Sequence, residues 1–174
     1  MNFHTHDLNA PLPAIINIPL EWMLHPEQAE LRADATYSVG IHPWWTEDEN
    51  INEIIKGFYF WATHPQVIRI GECGIDKLRG ATEVEQERIF TLHIELAEKL
   101  HKPLTIHCVK AFDRILALHK QLHPTQRWCI HGFRGKPELA QQLLATGIDL
   151  SFGVHYNEEA YALCPKERRF RETD

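Results

Sequence analysis

Residues 66–74 read QVIRIGECG, a β-branched apolar run that breaks off at a carboxylate, Glu72. The same grammar returns downstream. KPLTIHC (102–108) runs apolar and reaches His107, and QRWCIHGF (126–133) reaches His131. Each is a strand-like run closed by a group that can bind a metal or carry a proton. Around them lie AIINI (14–18), TYSVGIH (36–42) and IDLSFG (148–153). NFHTH at the start and RRFRETD at the end are more polar candidates.

The segments between these runs carry helical signals. In TEVEQERIFTLHIELAEKLH, Thr82 and Glu85 have the spacing of a capping box. Ile89, Leu92, Leu96 and Leu100 give that segment one apolar face. KAFDRILALHKQLH repeats the pattern, and KPELAQQLLATG has proline early and glycine last. NINEIIKGFYFWATH (50–64) is a further helix. Strands alternating with helices imply parallel pairing through helical crossovers. Eight such strands predict an α/β fold, a TIM (β/α)8 barrel in a single domain over 1–174. The doubly wound open sheet is the alternative. Such barrels usually need about 200 residues or more, so this one must be compact. Its second βα unit is shortened, with only PEQAELRAD for a helix, and a final helix is missing after the eighth strand.

Bulk properties exclude some functions. An apolar content of 44% supports a sizeable core. A net charge of −6 argues against a general nucleic-acid coat, which is normally basic. No apolar run is long enough to span a membrane, and the N-terminus lacks a signal-peptide layout. The four cysteines form no CxxC pair, so the expectation is reduced thiols and a cytoplasmic location. The unusual count is histidine, 12 in 174.

In a parallel barrel the C-terminal strand ends meet at one mouth, where active sites sit. Glu72, His107, His131 and Asp174 would converge there. His4 and His6 have the period-2 spacing that sends both side chains to one face of a strand. Imidazole and carboxylate together suit divalent ions of the zinc, manganese or iron type. This many donors exceeds the three protein ligands of one catalytic zinc and suits two ions sharing a carboxylate. His42, before Pro43, could line the site without binding metal. His25, His64, His93, His101, His119, His123 and His155 read as surface residues.

The segments FHTHDL, VGIHPWW, IGECGID, KPLTIHC, IHGFRG and FRETD occur in the order seen in TatD-type metal-dependent hydrolases. The chain resembles that family, within the amidohydrolase-like barrels, from Phe3 to Asp174. The resemblance implies a TIM barrel and a divalent-metal-dependent phosphodiesterase, mostly a deoxyribonuclease, using two ions such as Zn, Mn or Mg. It implies His4 and His6 on the first metal, Glu72 as the bridging ligand, and His107 and His131 on the second. Asp174 would bind the first metal and accept the proton of the attacking water, which makes Asp174 and Glu72 the catalytic pair. Three departures stand out. Lys77 falls where an aromatic is common, Arg134 falls where a serine is usual, and the sequence carries nothing after Asp174, where the family adds helices.

Cations past the strand ends (Lys77, Arg79, Lys110, Arg114, Arg134 and Lys136) form an expected basic collar. His42, Lys77, Arg134 and Trp44 are the candidate substrate contacts, with Trp44 and Trp45 placed to stack on a base. The expected substrate is a nucleic-acid end or a small phosphoester. An ester hydrolase resembling D-aminoacyl-tRNA deacylases is one alternative, and a metal-binding protein without turnover is another.

Overall fold

The computed structural model describes Met1–Asp174. Its eight strands are β1 (Asn2–Thr5), β2 (Ala14–Asn17), β3 (Thr36–Val39), β4 (Val67–Asp76), β5 (Leu104–Val109), β6 (Trp128–Ile130), β7 (Asp149–Phe152) and β8 (Arg169–Arg171). They pair in parallel and in sequence order as one sheet. The helices are α1 (Leu20–Leu24), α2 (Ile51–Ala62), α3 (Glu83–Leu100), α4 (Phe112–Leu122), α5 (Pro137–Thr146) and α6 (Glu158–Leu163). The architecture is the TIM barrel that the alternating pattern predicts.

Its compactness comes from the early units. No helix lies between β1 and β2. In the second unit the helix falls on LEWML (20–24), with a single 3-10 turn at Pro26–Gln28, and not across PEQAELRAD. LEWML supplies the apolar residues: Met23 is buried, and Trp22 takes an indole hydrogen bond at its carbonyl from Trp61 on α2 at 2.7 Å. α6 was not anticipated, because its six residues are too few to show a period. The Thr82 cap forms, with the Glu85 amide donating to its hydroxyl at 3.3 Å. The reciprocal half of the box does not, because Arg88 holds the Glu85 carboxylate at 2.7 Å.

The barrel is drawn shut at β1 and β8 by side chains. Phe3 stacks on Phe170 with ring centroids 4.5 Å apart. Asn2 Nδ2 donates to Thr173 Oγ1 at 2.6 Å, and the Thr173 amide donates back to Asn2 Oδ1 at 3.1 Å. In the lower barrel Arg69 is buried, donates to Thr105 Oγ1 and the Leu104 carbonyl, and lies 4.5 Å over the Phe3 ring.

One histidine corrects the surface reading. His93 on α3 is fully buried. Its Nε2 accepts the Ile41 amide at 2.7 Å, and its Nδ1 donates to the Ile89 carbonyl at 2.8 Å. Both ring nitrogens are used by the neutral form, so α3 clamps the end of β3 just before His42. An apolar helix face hides such a residue from periodicity analysis, which places polar side chains outward.

Candidate metal centre

Six strands, β1, β3, β4, β5, β6 and β8, deliver the centre, from within the strand or just past its end. Glu72 sits in β4 at a register shift between Ile70 and Cys73, the kind of bulge that re-aims a side chain. The Gly71–Glu72 peptide is cis. Having left the ladder, the Glu72 amide donates instead to Asn17 Oδ1 at 3.1 Å, and Ser38 Oγ donates to the same oxygen at 3.1 Å. Gly40 permits this approach: a Cβ there would lie 2.5 Å from the Glu72 carbonyl oxygen and 2.7 Å from Gly71 Cα.

The two carboxylate oxygens of Glu72 face different histidines. Oε2 is 3.2 Å from His4 Nε2 and 3.0 Å from His6 Nε2. Oε1 is 2.6 Å from His107 Nδ1, 2.7 Å from His131 Nε2 and 3.0 Å from His42 Nε2. Asp174 closes the first side, 3.6 Å from His6 and 3.9 Å from His4 and from His131 Nδ1. Two overlapping groups result, His4–Glu72–His131–Asp174 and His42–Glu72–His107, each tight enough to hold a cation.

What lies behind each ring decides its role, because a carboxylate only accepts and an amide only donates. His107 lies between two carboxylates, Nε2 3.2 Å from Asp76 Oδ2 and Nδ1 2.6 Å from Glu72 Oε1; a cation at Glu72 would take the Nδ1 lone pair and leave the proton on Nε2 against Asp76. His131 is placed likewise, Nδ1 3.4 Å from Glu172 Oε1 and Nε2 2.7 Å from Glu72 Oε1, so a cation at Glu72 would take its Nε2 lone pair. His42 is reversed. Its Nδ1 accepts the Trp44 amide at 3.1 Å, so Nε2 bears the hydrogen and points it into the site as a donor. His107 and His131 therefore fit as metal ligands held by carboxylates behind them, and His42 fits as a hydrogen-bond donor.

Burial opposes ionisation of Glu72, yet His131, His107 and His4 outweigh it and hold the carboxyl well below its ordinary range. Burial likewise opposes protonation of His131, but Glu72 and Glu172 outweigh it and push the imidazole well above its usual value. His4 and His42 are lowered, mainly by burial. A ring nitrogen 2.6 Å from a carboxylate oxygen needs a proton or a cation between them. Protonating every ring is a poor source, since neighbouring imidazole centroids lie 4.5–5.6 Å apart. The donor set fits divalent ions.

A family model described as TatD related DNase matches residues 19–174. The chain belongs to the TatD-related DNase family. It is 33% identical over 152 residues to a 3'-5' ssDNA/RNA exonuclease TatD from Klebsiella pneumoniae (strain 342), covering 79% of this chain and 56% of that protein. A protein of the same description from Erwinia billingiae (strain Eb661) is 32% identical over 148 residues, with the same coverage. The chain thus spans about half the length of the curated relatives it matches. A TatD homologue from Escherichia coli K12 shares the fold with a TM-score of 0.76 at 19% identity, over 92% of this chain and 66% of that one. A TatD family protein from Entamoeba histolytica superposes with a TM-score of 0.70 at 21% identity, over 92% and 60%.

Within this TatD barrel the expected ligands gather as one cluster, and His42 joins them at hydrogen-bond distance of Glu72. The basic collar divides. Lys77 turns to Glu83 and Asp113 at 3.5 and 3.6 Å and lines neither cavity at the centre. Arg114 is bound to Glu87, and Arg79 lies 3.7 Å over the Trp44 ring. Trp44 donates its indole hydrogen to Asp76 Oδ2 at 2.7 Å and lines a cavity of about 380 Å³ with His6, His42 and Trp45. Asn17, Asp76 and Glu172 went unrecognised in the sequence. Asn17 closes a strand run just as His107 does, and Asp76 and Glu172 share period-2 parity with Glu72 and Asp174. That spacing was the available signal.

Proposed function

We propose that this chain hydrolyses phosphodiester bonds in single-stranded nucleic acid, using two divalent ions at the strand ends. The observation that carries it is the division of the imidazoles between the two oxygens of Glu72, which is the arrangement of a carboxylate shared by two cations. His4, His6, Asp174 and Glu72 would hold one ion, and His107, His131 and Glu72 the other, with Zn, Mn and Mg as the candidates. When bound, such ions lower the pKa of a water and neutralise charge on the phosphoryl group. Asp174, only partly exposed beside His6, accepts the proton from the attacking water. His42 donates its Nε2 hydrogen to a phosphate oxygen, because the Trp44 amide fixes its tautomer. Trp44 borders the cavity on that side.

The relatives' described activity is exonucleolytic on ssDNA and RNA, which favours phosphodiester over acyl-ester cleavage and over a binding role without turnover. No helix is long and apolar enough to cross a membrane. The four cysteines are free thiols, three of them buried, and we place the chain in a reducing cytoplasm.

The test is metal content and cleavage of single-stranded oligonucleotides with Mg, Mn or Zn, for the wild type and Glu72→Ala. Two metal equivalents and metal-dependent cleavage are expected for the wild type. Glu72→Ala should lose more than about 100-fold, beyond the 10–100-fold typical for a residue that only supports a ligand. Unchanged activity in the variant would overturn the assignment.

A further inference from the structure

Resting on that reading, we infer that Lys110 and Arg134 form an anion subsite for the phosphate next to the scissile one, so that the chain engages single-stranded nucleic acid through two consecutive phosphates. The centre opens on two sides. On the side away from Trp44 lies a second cavity of about 520 Å³, bordered by His107, His131 and Asp174 and also by Lys110, Phe112 and Arg134. That volume suits a nucleotide-sized group.

Charge pairing and position together single out these two cations, since Lys136 has no ion pair but does not line the cavity. Lys77, Arg79 and Arg114 are occupied by carboxylates or by the Trp44 ring. Lys110 and Arg134 are exposed, meet no carboxylate within ion-pair distance, and line the same space. Their placement repeats on neighbouring strands. Lys110 stands three residues past His107, and Arg134 three past His131, while β5 and β6 pair from Leu104↔Trp128 to Ile106↔Ile130. Both cations thereby follow, at the same spacing, two histidines of the centre, and both line one cavity. Lys110 adopts a φ of 55°, a left-handed conformation that is uncommon for lysine and clusters at functional sites. The guanidinium of Arg134 offers two parallel donors to a phosphate, and the Lys110 ammonium adds a point charge. Glu172 and Asp174 also border the cavity, on the metal side, so the anion has to sit toward the outer cations.

Two readouts test this on the full chain. The first is anisotropy of a fluorescein-labelled oligo-dT ten-mer titrated with metal-free protein at several salt concentrations. Lys110→Ala and Arg134→Ala should each weaken binding about ten-fold, and the double variant should flatten the salt slope by about 0.7 for the phosphate lost. Arg134→Lys should recover only part, since it keeps the charge and loses the fork. The second readout is hydrolysis by the metal-loaded protein of that oligonucleotide and of bis(p-nitrophenyl) phosphate, which has no neighbouring phosphate. The variants should raise KM for the oligonucleotide about ten-fold and leave the small diester within two-fold. Unchanged affinity and slope in the double variant would overturn the subsite, as would an equal loss on both substrates or a wild type that does not bind. A wild type whose binding depends on Lys110 and Arg134 but which cleaves neither substrate would keep the subsite and defeat the hydrolase reading.

Discussion

Asp76 shows how much rests on single oxygen atoms. Its Oδ2 accepts from His107 Nε2 and from the Trp44 indole, while Oδ1 accepts the Leu78 amide at 2.8 Å. Burial works against ionisation, but the bonds from Trp44, Leu78 and His107 outweigh it and lower the carboxyl's pKa. An asparagine has one acceptor oxygen, so in either orientation its NH2 meets a donor. Asp76→Asn should therefore release His107 and the Trp44 ring together. A 10–100-fold loss of metal affinity is expected, read by titration with a competing chelator. Affinity within two-fold of wild type would show that Asp76 does not orient His107.

Between elements, two contacts set the site. The first is the approach of Gly40, just past β3, to β4. In Gly40→Ala the new methyl meets the Glu72 carbonyl at 2.5 Å, and both partners are backbone, so neither can swing aside. Overpacking of this kind costs about 1–3 kcal/mol, and here it displaces Glu72. A lower melting temperature together with reduced metal uptake is the expected pair of results; full metal content would refute the coupling. The second contact is the His93 clamp from α3. Burial lowers its pKa from 6.5 to about 4, so the fold requires the neutral ring. As pH falls below 6.5 the unfolded chain takes up this proton first. The contribution is present above that value and is lost down to about pH 4, amounting to about 3 kcal/mol. Urea midpoints at pH 7 and pH 4.5 should differ more for the wild type than for His93→Gln. Equal pH dependence would remove the clamp from the explanation.

At the level of the whole molecule, the seam between β1 and β8 carries no backbone ladder. Stacked phenylalanines and the Asn2–Thr173 pair hold it, and Asn2 and Thr173 bond at the surface. Amides of β8 should exchange with deuterium faster than those of β4 and β5. The centre draws on both sides of this seam, His4 and His6 from β1 and its end and Asp174 from beyond β8. Metal at 100 times its Kd should therefore slow exchange at the seam by about 100-fold, the equivalent of about 2.7 kcal/mol. Exchange there that ignores metal would separate Asp174 from the first ion.

Much of this molecule is written locally. Apolar runs that stop at Glu72, His107 and His131 specify strands by side-chain period and place their ends at one mouth by parallel pairing. Strand number and order follow from that, while the order of the motifs from FHTHDL to FRETD carries the likeness to the TatD family. Short elements such as α6 were illegible because six residues complete too few turns to show a period. The tertiary structure alone decided which nitrogen of each imidazole faces the centre, because that depends on what lies behind the ring: Asp76 for His107, Glu172 for His131 and a backbone amide for His42. It also decided which cations stay free, since Lys77 and Lys110 look alike in sequence and only folding brings Glu83 and Asp113 to the former. Periodicity reports the face a residue occupies. Hydrogen-bond partners and charge pairing come from segments far apart in the chain, and the fold must exist before they meet.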